Sequence, residues 1–261
     1  MSGQIRRSSG RLVYSRFHRS VSLFFNPDAV VYSVFMNKLQ KIHGHLKTIN
    51  QHKARVTGLC FQCGLYKQGL LHDLSKYSPV ELKTGFRYYQ GYRSPIDAQK
   101  EQEGYSFSWL HHKGRNPHHW EFWLDNSPHG VIANPMKFNY VAEMFCDRIA
   151  ACQIYQKEKY NDYSGLDYYL KGRNRILIHP ETDRQIVYLL SDTALHGLKH
   201  TIALIRSLLQ EYRSTGKVTL PQDADEVLAM AEKRQHELEE QEAADRTKAD
   251  AQTHTNEKTS R

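Results

Sequence analysis

Residues 39–60, LQKIHGHLKTINQHKARVTGLC, decide how this chain folds. Leu39, Ile42, Leu46, Ile49, Val56 and Cys60 recur at spacings of three, four or seven, so one face of a long helix is apolar. His52 stands on that face, three residues after Ile49 and four before Val56, and therefore points toward the core. Downstream, Gly64 to Leu71 reads as a second, short helix that closes in the charged pair His72-Asp73, followed by Leu74-Ser75-Lys76 and the breaker pair Ser78-Pro79. Residues 84–108 mix glycine, proline, charge and aromatics without a sustained period and read as a loop or broken helix. Next, WLHHKGRNPHHWEFW (109–123) sets two His-His pairs seven residues apart around Gly114 and Pro117.

After a turn-forming SPHG at 127–130, residues 137–157 predict another helix with two apolar faces. Val141, Phe145, Ile149 and Cys152 make one; Tyr140, Met144, Ala151 and Ile154 make the other, and Asp147 lies within the second. Leu195, Leu198, Ile202, Ile205 and Leu209 predict one long amphipathic helix over 181–212. Residues 222–261 are charged and poor in apolar side chains, a helix fraying into a disordered tail. No segment alternates as a strand and no internal repeat is evident. The class is all-α: a helical domain over 36–220, between a flexible basic extension (1–35) and a charged tail (221–261).

With 261 residues the chain can bury one substantial core. A mean hydropathy of −0.68 and the lack of any apolar run near the ~18 residues of a membrane span speak against an integral membrane protein. Cys60, Cys63, Cys146 and Cys152 are too few and too unevenly placed for a disulfide scaffold, which fits a reducing, cytoplasmic setting; the Cys60/Cys63 C-x-x-C lacks a second ligand pair and reads as core packing. Of the net +8, residues 1–35 contribute +4 and residues 221–261 contribute −5, so the middle carries +9. A basic centre favours an anionic ligand, either a phosphorylated small molecule or nucleic acid, although a solvated surface accounts for the charge equally well. The Arg- and Ser-rich opening MSGQIRRSSGRLVYSRFHRS has the composition of a transit peptide, and a dispensable arm or an upstream start before Met36 would look the same.

A carboxylate seldom enters a helical core without a partner, and His52, Asp73 and Asp147 are all placed inward. One divalent cation would satisfy all three, with neutral imidazole and ionised carboxylate as ligands. The alternative is a set of hydrogen-bonded core histidines with an internal salt bridge.

In order and surroundings these residues resemble the HD-domain superfamily of metal-dependent phosphohydrolases: a His on one helix, a His-Asp pair on the next, an Asp on a later one. Here they are His52 in HKARV, His72-Asp73 in LLHDLSK and Asp147 in EMFCDRIAA, within residues 37–157. More narrowly, HDLSKYSP with HHKGRNPHHWEFW is similar to an uncharacterised group of bacterial and phage proteins of unknown function. The resemblance implies an HD-domain-like bundle that hydrolyses a phosphoester, nucleotides included, on one or two ions of Mn, Zn, Mg, Ni or Fe held by His52, His72, Asp73 and Asp147.

Two-metal members carry extra histidines between the His-Asp pair and the last Asp, which makes His112 and His118 candidates for a second metal position or for substrate phosphate. Since helical neighbours point ~100° apart, one His of each pair is expected to face the site. Asp73 is also the candidate acceptor of a water proton, and Lys76 and Arg115, with Lys113, are the cations expected to meet phosphoryl oxygens. Tyr88, Tyr89 and Tyr92 could stack on a nucleobase, and His45 is a supporting or structural group. His196 and His200 lack the carboxylate of an H-E-x-x-H arrangement. Two further readings use the same residues: a di-iron HD-type oxygenase, and a non-catalytic basic module whose salt-sensitive binding survives loss of Asp73.

Overall fold

Helix α1 (Lys38–Gln62) starts at a reciprocal cap in the computed structural model, which describes residues 36–259 and their side chains through residue 247. The Gln40 N–H donates to Asn37 Oδ1 at 2.9 Å and the Asn37 N–H to Gln40 Oε1 at 2.8 Å, satisfying two otherwise orphaned donors. The expected apolar face is the buried one, with Ile49, His52, Val56 and Cys60 inside. Leu39 is the exception; it lies before the helix reaches the core and is exposed. The expectations for the basic extension over 1–35 fall outside the described residues.

Gly64 at φ +80° turns the chain back, and α2 (Tyr66–Leu71) lies along α1 so closely that a Cβ on Gly69 would stand 3.0 Å from Cys60 Cβ. The Thr57 hydroxyl donates to the Gly69 carbonyl (2.7 Å), which joins the two helices. A short 3₁₀ turn (Leu74–Tyr77) follows, then α3 (Pro79–Tyr88), whose start is set by Ser78 as cap and Pro79 at the first position.

The stretch 84–108, expected as loop or broken helix, holds the end of α3 and all of α4 (Pro95–Glu103), with α5 (Phe107–Lys113) beginning at its edge. Each helix has its own signal: Ser94 capping with Pro95 behind it, Gly104 at φ +80° closing α4, and Ser106 capping α5. The SPHG turn closes an antiparallel hairpin, β1 (Leu124–Ser127) with β2 (Gly130–Ala133), which corrects the expectation of no strands. Four-residue strands that are mostly exposed have no buried face to alternate against, so no period announced them.

Helix α6 (Phe138–Gln156) is the centre of the core, with Val141, Phe145, Ile149 and Ala150 fully inaccessible. It packs on α1, on α7 (Ser164–Arg173), on α8 (Pro180–His196) and on α9 (Leu198–Thr215). The single helix expected over 181–212 is two, because Gly197 at φ +86° breaks it and redirects the chain. Helix α10 (Ala224–Thr259) then lies against α8 through Ala224, Val227 and Ala231. Among the described residues there are ten α-helices and one two-stranded sheet, and the class is all-α. The four cysteines are free and buried, with Cys63 Sγ 3.8 Å from Cys146 Sγ. No helix among the described residues is long and apolar enough to cross a membrane.

Candidate metal centre

The His72-Asp73 pair occupies a sharp corner rather than a helix. His72 ends α2, and Asp73 follows in the left-handed region at φ 54°, a conformation Asp tolerates better than most residues. Lys53 of α1 holds the corner: its ammonium donates at 2.8 Å to both the Leu70 and His72 carbonyls, the unsatisfied end of α2. Both His72 and Asp73 are 2 % exposed as a result.

Around Asp73 the imidazoles are oriented from behind. His72 Nδ1 lies 2.9 Å and His118 Nδ1 3.2 Å from one oxygen of Glu143, and His112 Nδ1 lies 2.8 Å from Glu81 Oε2. Each Nε2 thereby faces Asp73: His112 at 3.2 Å and His118 at 3.4 Å from Oδ1, His72 at 3.3 Å from Oδ2. On the Oδ2 side, His52 Nε2 is 2.8 Å and His72 Nε2 3.5 Å from Asp147 Oδ1. These approaches are not hydrogen bonds. His52 Nε2, His72 Nε2, His118 Nε2 and Asp73 Oδ1 are buried without a hydrogen-bond partner.

Imidazoles whose Nδ1 is held by a carboxylate turn Nε2 inward, and the convergence of these Nε2 atoms on carboxylate oxygens, several of them without a hydrogen bond, is one that a cation could satisfy. The spacings match those of ligands sharing one ion at ~2.0–2.2 Å. Two four-residue groups could hold a metal ion, His52/His72/Asp73/Asp147 and Asp73/His112/His118/His119, and Asp73 belongs to both. His72, His118 and Glu143 form a third such group behind them.

The electrostatics follow from burial and crowding. Burial opposes charge on Asp73 and Asp147, yet His72, Lys76 and His112 hold Asp73, and His52 and His72 hold Asp147, well below the usual carboxylate range. Glu143, facing His118 and His72, and Glu81, facing His112 and His111, are lowered against burial too. Against the same penalty His72 and His112 are raised, chiefly by Asp73. Burial lowers His52, with help from the Lys76 ammonium, and lowers His119, with help from His118 and His112.

His52, His72, Asp73, His112, His118 and Asp147, the ligand candidates of the sequence, all meet here. Lys76 does as well, but its Nζ sits 2.6 Å from Asp73 Oδ2, so in this arrangement it neutralises the carboxylate. Arg115 is not brought to the cluster: it is exposed, and its guanidinium donates to the His111 carbonyl at 3.2 Å. Among the tyrosines, Tyr89 lines the cavity above the site, Tyr88 is buried on Glu103, and Tyr92 lies under Arg93.

The rule of one histidine per pair holds for His111 and His112, which lie in α5: His112 faces Asp73 while His111 turns to Glu81 at 2.8 Å. It fails for His118 and His119, because they sit in a turn where the 100° step does not apply. His119 Nε2 comes within 2.9 Å of His112 Nε2. Glu143 and Glu81 were missed in the sequence. Glu143 lies one helical turn before Asp147 and so shares its face, a legible signal; Glu81 had none.

No curated protein and no solved structure matches the chain. A family of unknown function, DUF5662, matches residues 41–192, an interval that runs from α1 into α8 and takes in every residue of both ligand groups. The chain belongs to the DUF5662 family of unknown function.

Proposed function

We propose that this protein is a metal-dependent phosphohydrolase of the HD-domain type, acting on a phosphoester with two divalent ions that would be held by His52, His72, Asp73 and Asp147 and by Asp73, His112, His118 and His119. The observation that supports this most is the division of Asp73: Oδ1 faces His112 and His118 while Oδ2 faces His72 and His52, and the Nε2 atoms of His52, His72 and His118 are buried without hydrogen bonds. When bound, the ions supply Lewis acidity at the phosphoryl oxygens and a water of lowered pKa. The reaction breaks the ester P–O bond and forms one to the oxygen of water, giving an alcohol and inorganic phosphate.

The chain's own residues contribute positioning and charge. Glu143 and Glu81 fix the imidazole orientation, and Lys76 places a half-buried ammonium beside Asp73 in the cavity lining, where it offsets charge on an anionic substrate. A cavity of about 210 Å³ opens above, bordered by His52, Asp73, Lys76 and Asp147. Small phosphorylated anions are therefore the preferred partners over nucleic acid, and four free, buried thiols accord with a reducing cytoplasm.

Elemental mass spectrometry on the purified protein, Asp73→Ala and Asp147→Ala tests this. About two equivalents of manganese, zinc or nickel, both lost in Asp73→Ala and one retained in Asp147→Ala, are expected, with phosphate release from a phosphoester panel. Two irons would shift the assignment to oxygen chemistry. Failure to take up any ion after reconstitution would overturn the assignment and leave a basic binding module.

A further inference from the structure

The cavity over the metal centre has a direction. Helix α1 borders it with His52, Ile49, Thr48 and His45, and α6 with Asp147, Ala151 and Tyr155. At 1.5 Å per residue, about 10 Å of helix separates His52 from His45 and about 12 Å separates Asp147 from Tyr155. Along these two helices one end is thus the ligand cluster with Lys76, the middle is Ile49, Thr48 and Ala151, and the far end is His45 with Tyr155. Its volume of about 210 Å³ falls below the ~300–1,000 Å³ typical of sites for drug-sized ligands.

His45 is built into the far end. It is 8 % exposed, and its ring occupies a notch on α3 that exists because residue 85 is glycine: a Cβ there would stand 2.0 Å from His45 Nε2. Phe86 and Tyr89 meet the ring edge-on, and among the described residues it makes no hydrogen bond. Burial and the Lys76 ammonium push its pKa down to about 4, so the imidazole is neutral near pH 7 and offers one donor and one acceptor. The ring lines the cavity and makes no hydrogen bond to the described residues, so a ligand oxygen is a partner open to it.

Resting on the phosphohydrolase reading for the phosphoryl end, we propose that the substrate is a phosphate monoester smaller than a nucleotide, with a short apolar body of a few carbons between Ile49 and Ala151 and a distal hydroxyl or carbonyl oxygen held by His45. The charged end takes the phosphoryl group, the small volume disfavours a nucleoside, and the length accommodates an extended chain of about four carbons. His45 is a specificity-determining residue in this arrangement and takes no part in the chemistry.

The test is binding, measured by calorimetry on the metal-loaded protein with non-hydrolysable probes: 4-hydroxybutylphosphonate, butylphosphonate and a nucleoside phosphonate. The hydroxylated probe is expected to bind roughly three- to tenfold tighter than butylphosphonate, the range of one neutral hydrogen bond. The nucleoside probe is expected to bind more weakly than either. His45→Ala should abolish the preference, with retained metal content showing that the metal end is intact; Gly85→Ala, which displaces the ring, should also abolish it. Equal binding of the two alkyl probes, a preference that survives His45→Ala, tighter binding of the nucleoside probe, or no binding of any probe would overturn the proposal. Phosphate release from the matching phosphate esters separates the two claims: probes that bind as expected but esters that are not cleaved remove the hydrolase reading alone, whereas cleavage that favours nucleotides removes the substrate class alone.

Discussion

Glu143 is hydrogen-bonded to His72 Nδ1 and lies 3.2 Å from His118 Nδ1, and so sets the direction of two Nε2 atoms at once. Glu143→Gln keeps the shape but weakens both charge-assisted contacts, and metal affinity is expected to fall about 10- to 100-fold, as measured by competition with a chelating dye. Unchanged affinity would mean that packing alone orients the rings. At His45 the prediction concerns pH. Its folded pKa of about 4 lies below the unfolded value of 6.5, so between these limits the unfolded chain binds a proton that the folded one does not, and stability falls as pH falls through that window. Between pH 7 and pH 5 this removes about 2 kcal/mol, and a His45→Gln variant should lose correspondingly less in paired denaturation curves. An equal loss in both would show that His45 is solvated in the folded state. Of these two residues Glu143 was within reach of the sequence through its four-residue spacing to Asp147. The isolation of His45 depends on a glycine forty residues away.

Among the elements, the α2 corner shows how local chemistry becomes site geometry. The left-handed turn at Asp73 follows a helix end that Lys53 of the neighbouring helix caps, beside the His72 N–H bond to the Gln68 carbonyl within α2. Lys53→Met preserves the aliphatic stem but leaves two carbonyls without their ammonium donor, and is expected to lower stability by about 1–2 kcal/mol and to weaken metal binding in the same preparation. Loss of stability with undiminished metal binding would detach the cap from the site. The helices that the periodicity of α1 and α6 announces are present, since one buried stripe repeating every three to four residues is what a sequence displays most openly. Helices α4 and α5 carry no such stripe. Their evidence lay in caps, Ser94-Pro95, Gly104 and Ser106, which act through single hydrogen bonds and leave no period.

At the scale of the whole molecule, α10 belongs to the core through its first turns, because Ala224, Val227 and Ala231 are buried and Arg234 donates to the Leu195 carbonyl at the end of α8. Truncation after residue 220 is expected to destabilise the protein by several kcal/mol, since burying Val227 alone is worth about 1.5–3 kcal/mol, while truncation after residue 241 should change the thermal midpoint little. Similar losses from both truncations would place the essential contacts beyond residue 241. The same division between local and long-range forces separates what the sequence determined from what folding decided. Residue type and helical spacing determined the all-α class, the inward faces of α1 and α6, and the inward placing of His52, Asp73 and Asp147, because these depend on neighbours within two turns, whereas the resemblance to a known family made His72, His112 and His118 candidates. Only the packing of α1, α3, α5 and α6 decided that Asp73 stands between two ligand groups, that His119 joins them and Arg115 does not, and that Glu81 and Glu143 stand behind the imidazoles. The carboxylate–imidazole relations among them that cross between elements span as many as 95 residues of chain, from His52 to Asp147, and a carboxylate's partner at that distance is fixed by the tertiary structure, not by its place in the sequence.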